Sequence, residues 1–332
     1  IDNTHPSISS QISTSWGTYL NAAEDDADGT VTVSTSGAED GQTVTTTING
    51  VQDTCTLNAN TCAVTVAAAD LAALTDGTSY TISVDVSDAI GNAADQDTSA
   101  SFEYDVSVSA ATETTAVSTP GNDGSPDVTI NVAEAGTIAM SGSCGTSSST
   151  TVSSGDNTIT LTDADDTSDL GDATYSDCTV TFTDDAGNDA AALPLTDFVI
   201  DTSAPTLTPV SIVTDNTDTT GGMNGDTITL SFTAGETIST PTCTFSDADS
   251  NALAGSVAVT AAGNDAWTCD VDIADDDADG VVTFSIAFSD EAGNAGTAVT
   301  AVTDATSVTI DNIHPTVTIT AAEVSDGDTS ND

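Results

Sequence analysis

Polar and apolar residues alternate with a period of two along much of this chain. Residues 30–34 (Thr-Val-Thr-Val-Ser), 80–86 (Tyr-Thr-Ile-Ser-Val-Asp-Val), 158–162 (Thr-Ile-Thr-Leu-Thr), 227–232 (Thr-Ile-Thr-Leu-Ser-Phe) and 282–288 (Val-Thr-Phe-Ser-Ile-Ala-Phe) each put apolar side chains on one face and mostly Thr or Ser on the other. A half-buried strand requires that pattern. Helical spacing is nearly absent, and no apolar run is long enough to cross a bilayer as a helix. No N-terminal signal peptide is recognised, so the expectation is a soluble chain, either mature or part of something longer. A low apolar fraction with high net charge can also mean disorder, but disorder would not carry a sustained strand period.

Two motifs recur in phase. The first places an apolar residue, an aspartate and a proline together: Ile-Asp-Asn-Thr-His-Pro at residue 1, Ile-Asp-Thr-Ser-Ala-Pro at 200 and Ile-Asp-Asn-Ile-His-Pro at 310. A degenerate copy, Phe-Glu-Tyr-Asp-Val-Ser-Val at 102, lacks the proline. Its aspartates are Asp2, Asp105, Asp201 and Asp311, at spacings of 103, 96 and 110 residues. The second motif is Asp-x-x-Gly-Asn, at Asp88–Asn92, Asp184–Asn188 and Asp290–Asn294. Each copy lies between strand patterns and reads as a turn whose Gly and Asn accept positive φ. Repeats of about 100 residues holding about seven short strands predict an all-β chain of tandem immunoglobulin-like β-sandwiches. The predicted domains are 1–104, 105–200 and 201–310. Residues 311–332 start a further repeat, with a first strand at 316–320, or supply an exchanged strand from 315–325 to another chain.

Charge narrows the function. The 332 residues include 53 acidic side chains and no Lys or Arg, a net charge of −53, where average usage gives about 40 basic residues. A phosphate-binding loop needs its lysine, nucleic acid needs cationic neutralisation, and anionic lipid attracts basic segments. Partners of those kinds are excluded, as is direct membrane insertion. The two histidines, His5 and His314, fill the same slot of the first motif, which reads as a linker feature rather than catalysis. Few aromatic residues are available to line a cleft, and Trp16 with Tyr19 is assigned to packing. No enzymatic activity is expected.

Six cysteines allow 15 connectivities. If the recurring motif marks domain edges, each domain holds one pair: Cys55 with Cys62, Cys144 with Cys178, Cys243 with Cys269. Zinc is disfavoured, because no pair has Cys-x-x-Cys spacing and neither His lies near one. Disulfides are preferred over free thiols and imply an oxidising, extracellular setting.

With both motifs in place, the repeats resemble the tandem immunoglobulin-like domains of large bacterial and archaeal surface proteins and adhesins. An Ile-Asp-x-x-x-Pro start and an Asp-x-x-Gly-Asn turn before the last strand are recurrent marks of that family. The topology implied by the resemblance brings each linker aspartate to the F–G turn of its own domain and opposite the E–F loop of the preceding one. Asp105 is then expected with Asp184 and Asn188, faced by Asp76 and residues 24–28. Asp201 is expected with Asp290 and Asn294, faced by residues 163–172. Asp311 would be faced by residues 275–279 and 215–226, and Asp2, Asp88 and Asn92 are the first repeat's members. Carboxylates so gathered repel one another, and without Lys or Arg the neutralising cation must come from solution. Calcium suits such oxygen donors, and related arrays are stiffened by it at their junctions. The alternative is a solvated acidic surface adapted to high salt.

These readings predict a calcium-stabilised extracellular spacer in a filament, adhesin stalk or surface layer. Its partners would be copies of itself or further repeats of the same chain. The competing expectation is an adhesive module that recognises a glycan or protein ligand through its loops.

Overall fold

The computed structural model describes residues 3–9, 12–146, 148–166 and 168–319. Among the described residues strands dominate, with one short helix, Ala68–Leu71, between Thr61–Val66 and Thr78–Val86. The chain clusters into two compact units, Ile1–Thr119 with Asp123–Val199, and Pro120–Asn122 with Ile200–Asp332.

The first unit holds two pairs of facing sheets. In its N-terminal part, Gly29–Ser36 pairs with Ser7–Ile8, Ser13–Thr14 and Thr61–Val66. Opposite lies a five-stranded sheet in the order Tyr19–Leu20, Asp97–Tyr104, Thr78–Val86, Thr43–Ile48, Val51–Thr56. Tyr19–Leu20 runs parallel to Asp97–Tyr104, with Leu20 opposite Tyr104. The remaining strand pairs are antiparallel, and the alternate, inward-facing residues Val31, Val33, Ile82 and Val84 of two central strands meet in one core. Trp16, 6% exposed, closes it edge-on against Phe102 at 5.3 Å. A Cβ on Gly29 would stand 2.3 Å from the Trp16 ring, so the indole wedge requires glycine there. Trp16 is thus a packing residue.

The second sandwich of this unit pairs Thr112–Thr115, Asp127–Val132, Gly155–Asp163 and Cys144–Thr146 against Thr151–Val152, Gly136–Ser141, Thr179–Asp184 and Leu193–Pro194. Phe182, buried on the inner face, and the stacked pair Tyr175 and Phe198 at 5.1 Å fill it.

The second unit repeats the plan. Leu207–Thr214, Thr227–Ala234, Ala266–Asp272 and Ala258–Gly263 form one sheet; Thr242–Ser246 with Thr283–Ala287, and Gly221–Gly222 with Thr309–Ile310 and Gly280–Val281, form the opposing layer. Strand Thr227–Ala234 alternates without a fault, burying Ile228, Leu230, Phe232 and Ala234. The strand predicted at 282–288 departs from expectation. It is interrupted at Val282, because Gly280–Val281 pairs with Thr309–Ile310 whereas Thr283–Ala287 pairs with Thr242–Ser246.

All three expected disulfides form, and the chain has no free cysteine. Each ties one sheet to the other: Cys55 and Cys62 sit on facing sheets, as do Cys243 and Cys269, while Cys144 reaches Cys178 at the foot of Thr179–Asp184. The predicted strand at 316–320 does not form over residues 316–319, which stand exposed with no strand pairing; a lone strand has nothing to satisfy its backbone but water. Residue 320 and those after it lie outside the described residues.

Candidate metal centres

The Asp-x-x-Gly-Asn turn is built by its own first and last side chains. In the second repeat, the Asn188 backbone N–H donates to Asp184 Oδ1 at 2.8 Å, and Asn188 Nδ2 donates to Asp184 Oδ2 at 2.9 Å. The third repeat copies this, with Gly293 and Asn294 N–H groups on Asp290 Oδ1 at 2.7 and 2.8 Å and Asn294 Nδ2 on Oδ2 at 2.8 Å. The first does so with Ile90, Gly91 and Asn92 N–H groups on Asp88 Oδ1 and Asn92 Nδ2 on Oδ2 at 2.7 Å. The turn glycines have φ of +98°, +90° and +97°, a region that costs other residues free energy. All three aspartates are buried.

The asparagine then reaches outward. Asn188 Nδ2 also donates to the Asp105 carbonyl at 2.8 Å, and Asn294 Nδ2 to the Asp201 carbonyl at 2.6 Å. Asn188 Oδ1 accepts the Ala22 N–H at 3.0 Å, while Asn21 Nδ2 donates to the Ala186 carbonyl at 2.9 Å. Loop 21–22 of the first sandwich is thereby clamped to the turn of the second. Of the sequence-predicted ligands, Asn188 therefore spends its side chain on the scaffold, and the amide groups of Asn92 and Asn294 point at their aspartates. Replacing Asn188 with Ala strands its partners, the carboxylate of buried Asp184, the carbonyl of half-buried Asp105 and the Ala22 N–H. A loss of about 2 kcal/mol is expected, read from denaturant unfolding; a variant as stable as the parent would refute the clamp.

With their backbones held, the carboxylates converge. Carboxylate oxygens of Asp105, Glu134 and Asp184 lie within 4.8 Å of one another, and so do those of Asp201, Glu236 and Asp290. In each set the buried turn aspartate is joined by two half-buried acids, one from the linker and one from the loop after a long inner strand, Asp127–Val132 or Thr227–Ala234. Two charges at that separation repel by about 1 kcal/mol in water and about 3 kcal/mol at the dielectric of a protein surface. Burial, and then the neighbouring carboxylates, push Asp105, Glu134 and Glu236 above the usual carboxylate range. Hard carboxylate oxygens, with backbone carbonyls close by, are the donor chemistry of calcium.

The other predicted members are placed differently. Asp88 belongs to no three-acid group among the described residues, and Asp2 lies outside them. Glu39, which holds in the first repeat the sequence position of Glu134 and Glu236, accepts the Ala89 N–H at 2.9 Å. Asp311 accepts the Ile313 N–H, and Asn312 is held by Asp279 Oδ1 at 2.6 Å and by the Ala274 and Asp277 carbonyls. Residues 274–279 thus flank the linker as expected, without a third carboxylate on Asp311 among the described residues. Asp76 accepts the Val106 N–H at 2.9 Å, and Asp25 accepts the Tyr104 hydroxyl at 2.7 Å; burial, helped by that bond, pushes Tyr104 up to about 12. His5 Nδ1 sits 2.8 Å from the Ala93 carbonyl, holding the N-terminal segment to the first turn.

Glu134 and Glu236 escaped the sequence reading. Their signal was a third in-phase residue: Glu39, Glu134 and Glu236 each closely follow a long strand, Gly29–Ser36, Asp127–Val132 and Thr227–Ala234 respectively.

Hydrogen bonds from Asn92 and neighbouring backbone hold Asp88 below its ordinary value of 3.8, and bonds from the Asn251, Ala278 and Asp249 N–H groups do so for Asp247 against its burial. The folded state therefore binds fewer protons at these groups than the unfolded chain. Their stabilisation is complete above pH 3.8 and lost as pH falls through the lower folded values. Acid unfolding followed by circular dichroism is expected to begin below about pH 4; a flat profile down to pH 2 would contradict it.

No family model matches the sequence, and no curated protein matches it. Solved structures similar to it include a calcium-stabilised adhesin that helps an Antarctic bacterium reach out and bind ice, at 24% identity and a TM-score of 0.46, covering 93% of this chain and 74% of that one. A 1.5-MDa bacterial ice-binding adhesin is 22% identical with a TM-score of 0.39, covering 94% and 100%. An I-band fragment of titin is 13% identical with a TM-score of 0.37, covering 93% and 100%.

Proposed function

We propose that the chain is an extracellular structural protein, a stiff array of immunoglobulin-like sandwiches bounded at residues 1–104, 105–200 and 201–310, serving in a surface filament, adhesin stalk or surface layer. The observation that carries this reading is the same three-acid constellation, linker Asp, loop Glu and turn Asp, at the entry to two successive sandwiches. A calcium ion held by Asp105, Glu134 and Asp184, and another by Asp201, Glu236 and Asp290, would supply the positive charge that the sequence lacks. Bound there, the linker aspartate is tied to the turn and the loop of the sandwich it enters, and the linker can no longer swivel. Asn188 and Asn294 hold the linker carbonyls, which leaves the linker carboxylates for the metal to fix. Three sheet-to-sheet disulfides suit an oxidising exterior and resist opening. Small-angle scattering of the full chain tests the idea: calcium should lengthen the particle and reduce its flexibility relative to chelator. Identical profiles in both buffers would overturn it.

A further inference from the structure

The outer side of an edge strand is a row of unpaired N–H and C=O groups, and two long edges of the second unit are closed by neighbouring loops. Beside Leu207–Thr214, the Thr303 N–H donates to the Val210 carbonyl at 2.9 Å, while Thr303 Oγ1 and Thr306 Oγ1 accept the Val210 and Ile212 N–H groups at 2.9 and 3.0 Å. Beside Thr242–Ser246, the Leu253 N–H donates to the Phe245 carbonyl at 3.2 Å and Ala252 bridges to Ser246. Strand Ala258–Gly263 has no such cover. It pairs with Ala266–Asp272 on one side, and among the described residues no hydrogen bond reaches its other side. Five of its six residues are exposed.

Charge separates this edge from others in the chain. A charged side chain on an edge strand deters pairing with another molecule; edge strand Val51–Thr56 carries Asp53 and edge strand Thr112–Thr115 carries Glu113. Residues 250–264 carry no acid at all. Two copies of a chain with a net charge of −53 repel one another, so they meet at least cost where neither presents a carboxylate.

Register supplies the fit. Ser211, Ser231, Thr268 and Thr260 stand opposite one another across four strands, a row of hydroxyls on the outer face that ends at the bare edge. One position along, Val259 lies opposite buried Cys269 on the inner face. The strand keeps a regular register from Ala258 to Ala261, and its bulge comes after that.

We propose that Ala258–Gly263 is an assembly edge that pairs antiparallel with the same strand of a second copy, about a two-fold axis at Thr260. Thr260 then faces Thr260 of the second copy, and Val259 faces Ala261 of the second copy, so outer residues meet outer residues and inner meet inner. Threonine pairs and small apolar pairs of this kind favour cross-strand contact, and no side chain at the seam is large enough to hold the strands apart. The four-stranded sheet becomes one of eight strands, with the hydroxyl row running from Ser211 of one copy to Ser211 of the other. Main-chain hydrogen bonds supply the attraction. A two-fold contact uses the same patch on both partners and closes at two copies.

Screening gives the first test. Analytical ultracentrifugation of the full chain in chelator, with folding checked by circular dichroism, should show dimers in about 1 M NaCl, where the Debye length is about 3 Å, and monomers in about 10 mM, where it is about 30 Å. Because calcium is absent from both buffers, the outcome is independent of the acid groups proposed to bind it. Thr260→Asp sets two carboxylates against each other across the axis and should weaken the high-salt dimer at least about tenfold. Thr260→Cys, mildly oxidised in high salt, should form a covalent dimer on a non-reducing gel much faster than Thr240→Cys, which is exposed in the same unit away from this edge. A parent that stays monomeric in both salts, a dimer indifferent to Thr260→Asp, or equal cross-linking of the two cysteine variants would overturn the proposal.

Discussion

Converting Cys144 and Cys178 together to alanine should destabilise the second sandwich by about 4 kcal/mol. The two are 34 residues apart in sequence and only 2 and 3% exposed, so the cross-link closes a long loop in the unfolded chain and its loss frees much conformational entropy. On a sandwich of about 100 residues that corresponds to a fall in Tm of roughly 15–30 °C. The Cys243–Cys269 bridge spans 26 residues and should cost slightly less, about 3.5 kcal/mol. Cys55 and Cys62, separated by 7 residues and half-buried, should cost least, about 2 kcal/mol. Calorimetry of the three double variants reads the ranking directly. If the Cys55–Cys62 pair proved the costliest, loop closure would not be what these bridges contribute.

What could be read from the chain beforehand depended on whether the physics was periodic or local. The alternation in 227–232 is enforced along the whole of Thr227–Ala234, because one face meets the core at each step and the other meets water. In-phase repetition exposed Asp105 with Asp184 and Asp201 with Asp290, and the structure brings both pairs together. Glu134 and Glu236 were harder to see, since their in-phase recurrence with Glu39 marks a repeat position but not a role, which becomes apparent only when the fold brings the loop back over the linker. The asparagines were legible as turn residues but not as clamps, because a hydrogen bond such as that from Asn188 to the Asp105 carbonyl joins positions 83 residues apart. The interruption at Val282 was equally hidden. Periodicity reports that a segment is extended, whereas which sheet each half joins is settled by neighbours distant in sequence.

Changing Glu134 and Glu236 to glutamine should move stability in opposite directions with and without calcium, and this is the largest effect the two acid groups can produce. Without metal, each glutamate sits among carboxylates whose oxygens lie within 4.8 Å, so removing its charge relieves repulsion on the order of 1 kcal/mol per site. The double variant should then melt above the parent in chelator. With calcium at a hundred times its dissociation constant, the parent gains about 2.7 kcal/mol per site, about 5 kcal/mol for two, and the variant, short of one anionic ligand in each group, should gain far less. The order of the two melting curves therefore inverts between the buffers. Acidity supplies an independent check. Because burial and neighbouring carboxylates raise Glu134 and Glu236 above their ordinary value of 4.5, the folded metal-free state holds protons that the unfolded chain has released, and its stability rises as pH falls from neutrality through those raised values. Calcium must displace the same protons, so its stabilising effect should be greatest near neutral pH and shrink over that window. Curves that kept one order in both buffers would show that these acids hold no ion and merely face water.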